Sequence, residues 1–172
     1  MELQTAIKNR RSVRKYTTQP VSKADIDAML AAACLAPSGG NRQPWHFYVI
    51  QNADVIQALC ARAYTTQWFQ TSPLVICVTV DPAISQKAYG ERGGQLYAVQ
   101  DSAAAIQNML LTAHELGLGC CWCGAFDESE VGDILSLPEG RRPLALLTIG
   151  HPEGEAPAMP RKRPAESVST FI

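Results

Sequence analysis

Leu74-Val75-Ile76-Cys77-Val78-Thr79-Val80 is apolar or β-branched at odd and even positions alike. A strand with one wet face alternates between apolar and polar residues, so this run reads as a central strand buried on both faces. Leu144 to Ile149 carries the same signature. Strands covered on both sides need helices above and below them, and the flanking sequence supplies those helices.

Outward from these strands, Ser22 is placed to cap a helix, with Asp25 favouring its positive end. Ile26, Met29, Leu30, Ala33 and Cys34 recur at helical spacing as its core-facing stripe. Leu3, Ala6 and Ile7 form a shorter stripe near the start. Phe47, Val49 and their neighbours read as a short strand, after which Asn52 caps a helix carrying Val55, Ile56, Leu59 and Cys60. Asp81 to Gly94 has the polarity and punctuation of a loop. The longest helix is expected from about Gln95 to Leu116, with Val99, Ile106, Met109, Leu110 and Ala113 inward and Gly117 just beyond its end. Cys120 to Cys123 reads as a strand. Asp127 and Glu130 resemble a capping box for a short helix through Leu135. The tail, with Pro152, Pro157, Pro160 and Pro164, excludes a long helix and leaves room for a last strand at Ser169 to Ile172. Helices alternating with buried strands mean α/β or α+β, which periodicity does not separate.

The 172 residues suit one domain, 1–172, with a full core. The 15 basic and 16 acidic residues leave a net charge of −1, so no overall field favours nucleic acid or an anionic membrane. No apolar run is long enough to cross a bilayer, and none in Met1 to Arg14 resembles a signal peptide. Six cysteines in such a chain read as reduced thiols, which makes a cytoplasmic location the default.

Four segments carry the candidate chemistry. Arg10-Arg11-Ser12-Val13-Arg14 offers guanidinium groups and a hydroxyl to a phosphate or a polarised carbonyl, although a solvated helix end would read the same. Pro37-Ser38-Gly39-Gly40-Asn41-Arg42-Gln43-Pro44-Trp45 lets backbone approach a ligand closely and adds amide and hydroxyl groups. An ordinary turn explains its glycines and prolines but not its amide-rich middle. It is neither a Walker loop nor a dinucleotide fingerprint. Gly117-Leu118-Gly119-Cys120-Cys121-Trp122-Cys123-Gly124-Ala125-Phe126 has small residues that let main-chain N–H groups face a flat ring. Arg161-Lys162-Arg163 again suits a phosphate, and the two basic clusters either meet on one anion or are separately solvated.

In order and spacing these four segments resemble the nitroreductase family of flavoproteins along nearly the whole chain. The resemblance implies an α+β, three-layer α-β-α sandwich with a central, mainly antiparallel sheet. It also implies an obligate homodimer holding FMN in the dimer interface. By the same resemblance Arg10 would pair with the FMN phosphate, joined by Arg161 and Arg163, with Arg11 beside them. Ser12 and Arg14 would face the ribityl chain and the pyrimidine edge. Pro37, Ser38, Gly39 and Asn41 would cover the flavin of the other subunit, with Gln43 supporting that turn. Gly124 and Ala125 would offer backbone N–H groups near N5.

The implied activity is FMN-dependent transfer of hydride from NAD(P)H to a nitroaromatic, quinone or related small acceptor by a ping-pong cycle. No side chain need act as acid, base or nucleophile, because the flavin carries the chemistry. Other flavin reactions, such as dehalogenation or oxidation of a small substrate, and simple FMN storage are the alternatives. There are departures from the family pattern: Asp81 to Gly94 is short, only nine residues follow Arg163, and Gly124 stands where some relatives have an acidic residue.

Competing features are weaker. Cys120, Cys121 and Cys123 include a Cys-x-x-Cys spacing without a second pair, because Cys34, Cys60 and Cys77 fall on expected core faces; packing is the favoured reading over dithiol or metal chemistry. His46, His114 and His151 do not sit at metal spacing, and no metal is expected. Tyr64, Trp68 and Phe69 either line an acceptor pocket or pack at the surface, and Tyr89 and Arg92 read equally both ways.

Overall fold

A computed structural model describes residues 1–64, 67–156, 160 and 163–172. Its sheet has the order β1 (Trp45–Ile50), β2 (Leu74–Val80), β4 (Arg142–Gly150), β3 (Gly119–Cys123), and every neighbouring pair is antiparallel. The doubly buried reading of β2 holds along its whole length. Leu74, Ile76 and Val78 face one core with α2 (Lys23–Cys34) and α5 (Ala98–Glu115). Val75 and Cys77 face a second core with α3 (Ala53–Ala58), the wider π-type turn at Leu59–Tyr64 and α6 (Glu128–Leu135). Opposite parities of one strand feeding two helical layers make the α-β-α sandwich.

Local signals place the helices. Ser22 Oγ accepts from the Asp25 N–H at 3.1 Å, Asn52 Oδ1 from the Asp54 N–H at 2.9 Å, and Asp127 Oδ1 from the Ser129 N–H at 2.9 Å. Gly117 takes φ +75° just past α5, as a helix-ending glycine does. Asp127 caps α6, but the reciprocal half of the capping box is missing, since Glu130 pairs instead with Arg62.

Several expectations need correction. The expected loop after β2 is α4 (Pro82–Arg92): Asp81 accepts from the Ala83 N–H at 3.0 Å and Pro82 opens the first turn. The helix is interrupted at Tyr89 and Gly90, where φ reaches +62°. Cys34 is exposed, not in the core. It lies about 80° around α2 from Ile26, on the side away from Met29 and Ala33. In α1 (Leu3–Asn9) only Ala6 is buried, while Leu3 and Ile7 remain exposed. Ser169 to Ile172 forms no strand with the described residues of this chain, and Phe171 is 97% exposed. Phe69, read as a surface aromatic or pocket residue, is fully buried in the second core.

Candidate functional site

After α1 the chain runs extended across one end of the sheet. Ser12 forms a parallel bridge with Cys120, and the Val13 N–H donates to the Cys120 carbonyl at 2.9 Å. Farther along, the Glu153 N–H donates to the Lys15 carbonyl at 3.0 Å and the Thr17 N–H to that of His151 at 2.9 Å. Tyr16 pins this strap: its buried hydroxyl donates to the Val13 carbonyl at 2.6 Å and lies 2.8 Å from Thr148 Oγ1. Desolvation pushes that phenol well above its ordinary pKa, which keeps the pin neutral.

Extended backbone sends alternate side chains to one side, and Arg10, Ser12 and Arg14 share it. All three act on the Cys121 thiol. Its pKa is held below the ordinary value chiefly by its hydrogen bond with Cys123; burial opposes this, while Arg14, a hydrogen bond from Ser12, and Arg10 add to it. Cys123 is pushed up by the same bond and by burial. Arg14 lies over the Trp68 ring at 5.6 Å. Among the described residues neither Arg10 nor Arg14 has a carboxylate partner. Arg11 lines the same hollow as Arg10, its Nη1 donating to the carbonyls of Lys8 at 2.6 Å and Arg10 at 3.0 Å at the end of α1.

Two hollows adjoin the strap. Arg10 lines one of about 660 Å³ with Val13, His114, Gly119 and Pro152. Ser12 and Arg14 line the other, of about 390 Å³, with Lys15, Glu153 and Gly154. Unpaired guanidinium groups at the mouth of such spaces suit an anion such as a phosphate and, through Arg14, an electron-rich ring edge. These donors have the chemistry to hold the phosphate and the polar ring edge of FMN.

The Ser38–Gln43 turn sits elsewhere, on the α5 side. Gly40, Asn41 and Gln43 all have left-handed backbone, with φ of +56°, +55° and +50°. At Gly40 the left-handed backbone favours glycine, and an added Cβ would also displace the Tyr89 hydroxyl, the outer end of an exposed side chain. Ser38 Oγ accepts from the Gln43 N–H at 3.0 Å, and Gln43 Nε2 donates to Asn41 Oδ1 at 2.8 Å. The Gly39 N–H donates to both carboxylate oxygens of buried Asp101, each at 3.1 Å. Pro37, Asn41 and Gln43 are exposed. Tyr89 and Tyr97 pack edge to face beside Gly39, their centroids 5.4 Å apart, and Arg92 stacks over Tyr97.

Gly124 and Ala125 follow β3 and are exposed, Gly124 at a small hollow with Val99, Trp122 and Phe126. Arg163 is exposed and donates to the Ser167 carbonyl at 3.2 Å. Arg161 lies outside the described residues. Arg10, Ser12 and Arg14 therefore group around Cys121, and the two hollows they line include no residue of the Ser38–Gln43 turn. Sequence reasoning missed Asp101, whose signal was a carboxylate on the inward face of α5, and missed the Arg14–Trp68 stack. Among the described residues no three His, Cys, Asp or Glu side chains gather as metal ligands, and no helix is long and apolar enough to cross a membrane.

An α-β-α sandwich with an antiparallel core and an arginine strap over one sheet end defines a class of fold, and the comparisons identify it. The nitroreductase family model matches residues 7–64 and 57–151. A protein of Archaeoglobus fulgidus, provisionally named NADH dehydrogenase/NAD(P)H nitroreductase, is 34% identical over 87% of this chain and 84% of its own. A Bacillus subtilis protein named FMN reductase, with NAD(P)H as donor, is 26% identical over 98% of this chain and 72% of its own. The crystal structure of a nitroreductase family protein from Clostridium difficile superposes with a TM-score of 0.86 at 28% identity, covering 99% and 98% of the two chains. The chain belongs to the nitroreductase family.

Proposed function

We propose that this protein is an FMN-dependent oxidoreductase that takes hydride from NADH or NADPH and reduces a nitroaromatic, quinone or related small acceptor. The observation that carries the reading is the grouping of Arg10, Ser12 and Arg14 around Cys121 and the two hollows beside it, with Arg10 and Arg14 lacking carboxylate partners among the described residues. Family membership supplies the chemistry, and the FMN reductase name of the Bacillus subtilis relative, with NAD(P)H as donor, supports the cofactor and the donor.

Bound FMN would accept two electrons with a hydride and pass them on. This chain's residues would do the rest. Arg10, with Arg161 and Arg163 from the tail, would hold the phosphate by charge-assisted hydrogen bonds. Ser12 and Arg14 would hold the ribityl chain and the pyrimidine edge, where the Arg14 cation favours the reduced, more negative cofactor. Gly124 and Ala125 would present backbone N–H groups near N5. With no side chain needed as acid or base, one open face would serve donor and acceptor in turn, in a ping-pong order.

The turn Pro37, Ser38, Gly39 and Asn41, supported by Gln43, would cover the flavin of a second copy. Its separation from the arginine strap within one chain supports a two-subunit site. The unit is one domain over 1–172, working in the cytoplasm.

Purified protein is expected to be yellow, and its absorbance near ~450 nm to bleach on adding NADH or NADPH without air. Protein that takes up no FMN sinks the reading. Protein that binds FMN but never bleaches is a carrier of FMN instead.

A further inference from the structure

We propose that Asp101 is a positioning residue whose carboxylate, reaching from α5 to the Gly39 N–H, sets the Ser38–Gln43 turn in the shape that closes over FMN held by a second copy of this chain. The inference rests on the FMN reading above, and names a residue within it whose partner lies far away in the sequence.

Within the turn, bonds are local. The Asn41 N–H donates to the Ser38 carbonyl at 2.9 Å and the Arg42 N–H to that of Gly39 at 3.2 Å. The Ser38 and Asn41 side chains close onto Gln43. These contacts define a knot but do not orient it on the sandwich. The hydrogen bond that does so runs from the Gly39 N–H to Asp101, with both oxygens at 3.1 Å.

The knot is also strained. Asn41 and Gln43 hold left-handed backbone, which non-glycine residues adopt at a cost, so it persists only where its surroundings fix it. Tyr89, Tyr97 and Asp101 together crowd Gly39, the tyrosines by packing and Asp101 by its hydrogen bond. Asp101 is 9% exposed, and a buried charge is a poor choice for stability alone; its strength is in fixing one geometry. Gly40, Asn41, Arg42 and Gln43 remain exposed, with their outer faces uncovered in this chain. A turn held rigidly from behind and bare in front is built to meet something outside its own subunit.

The test uses mixed dimers. Asp101→Ala damages the turn and Arg10→Ala the phosphate contact, so each homodimer carries two defective sites. Each is expected to bind FMN roughly tenfold or more weakly, the effect of losing a hydrogen bond to a charged group. In a dimer with one chain of each kind, purified through two affinity tags, both defects fall in one site and the other is intact. FMN titration should then show one site of wild-type affinity per dimer. Asp101→Asn, which keeps an acceptor without the charge, should lie between Asp101→Ala and wild type, and covers the case in which the alanine variant fails to fold.

Mixed dimers without a wild-type site would place the effect of Asp101 inside its own subunit and overturn the proposal. Wild-type affinity in both Asp101 variants would overturn it too. A wild-type dimer that binds no FMN would instead bring down the underlying reading.

Discussion

The Val13 N–H is tied to the Cys120 carbonyl at 2.9 Å, and through that bond the arginine strap bridges to the free edge of β3 at Ser12 and Cys120. The bond settles two matters together. It protects an open sheet edge, and it fixes the alternation that sends Arg10, Ser12 and Arg14 to one side.

Gly119 makes this pairing possible. A Cβ there would meet the Val13 Cβ and Cγ1 at 2.7 Å, closer than carbon atoms tolerate. Gly119→Ala is therefore expected to push the strap off the β3 edge, costing about 1–3 kcal/mol as overpacking does. FMN affinity should fall with it, and Val13→Gly should restore part of both. Thermal melts with FMN titrations check this; a variant melting and binding like wild type would show that the strap is not held there.

Much of this fold was legible because its signals are local. Caps at Ser22, Asn52 and Asp127, the Gly117 stop and the doubly buried β2 each depend on a few neighbouring residues. The failures share a different cause. The Asp81-Pro82 start of α4 was a local signal outweighed by polar composition. Cys34 has helical spacing but lies around the edge of the buried arc. Asp101 bonds a residue 62 positions away, so only the tertiary structure shows its partner. The strap was readable as a set of arginines, but its alternation depends on pairing with β3, which no spacing in Arg10 to Arg14 encodes.

Arg10→Ala is expected to weaken FMN binding by about 1.5–3 kcal/mol, the usual worth of a hydrogen bond to a charged group. Arg163→Ala tests whether the tail joins the same phosphate. Among the described residues its guanidinium bonds the Ser167 carbonyl at 3.2 Å, a neutral contact that movement toward a phosphate would break. Fluorescence titration of apo-protein separates the two. Unchanged affinity in both variants defeats the phosphate assignment.

Arg14→Leu should act on the potential more than on binding. The guanidinium stacks on Trp68 at 5.6 Å, and its charge already pulls the Cys121 thiol downward. A cation that stabilises one nearby anion also stabilises a reduced cofactor placed beside it. The two-electron potential of the bound flavin is expected to become more negative in the leucine variant, while affinity for FMN changes less. A spectroelectrochemical potential equal to wild type would remove Arg14 from this role.

Alkaline pH should destabilise the fold through thiols that the site does not use. Burial raises Cys77 and Cys120 from the ordinary 9.0 to about 12. A group whose pKa is raised on folding contributes stability that is intact below its unfolded value and is lost as pH climbs toward the folded one. The unfolded chain releases these protons first, so the contribution of these two thiols to stability should be level up to about pH 9 and decline from there toward about pH 12. Urea midpoints measured across that range check the slope. Cys77→Ala removes one of the two groups, so its curve should start lower, because a core side chain has been trimmed, yet fall less steeply. A slope matching wild type would mean that deprotonation of Cys77 is not coupled to unfolding.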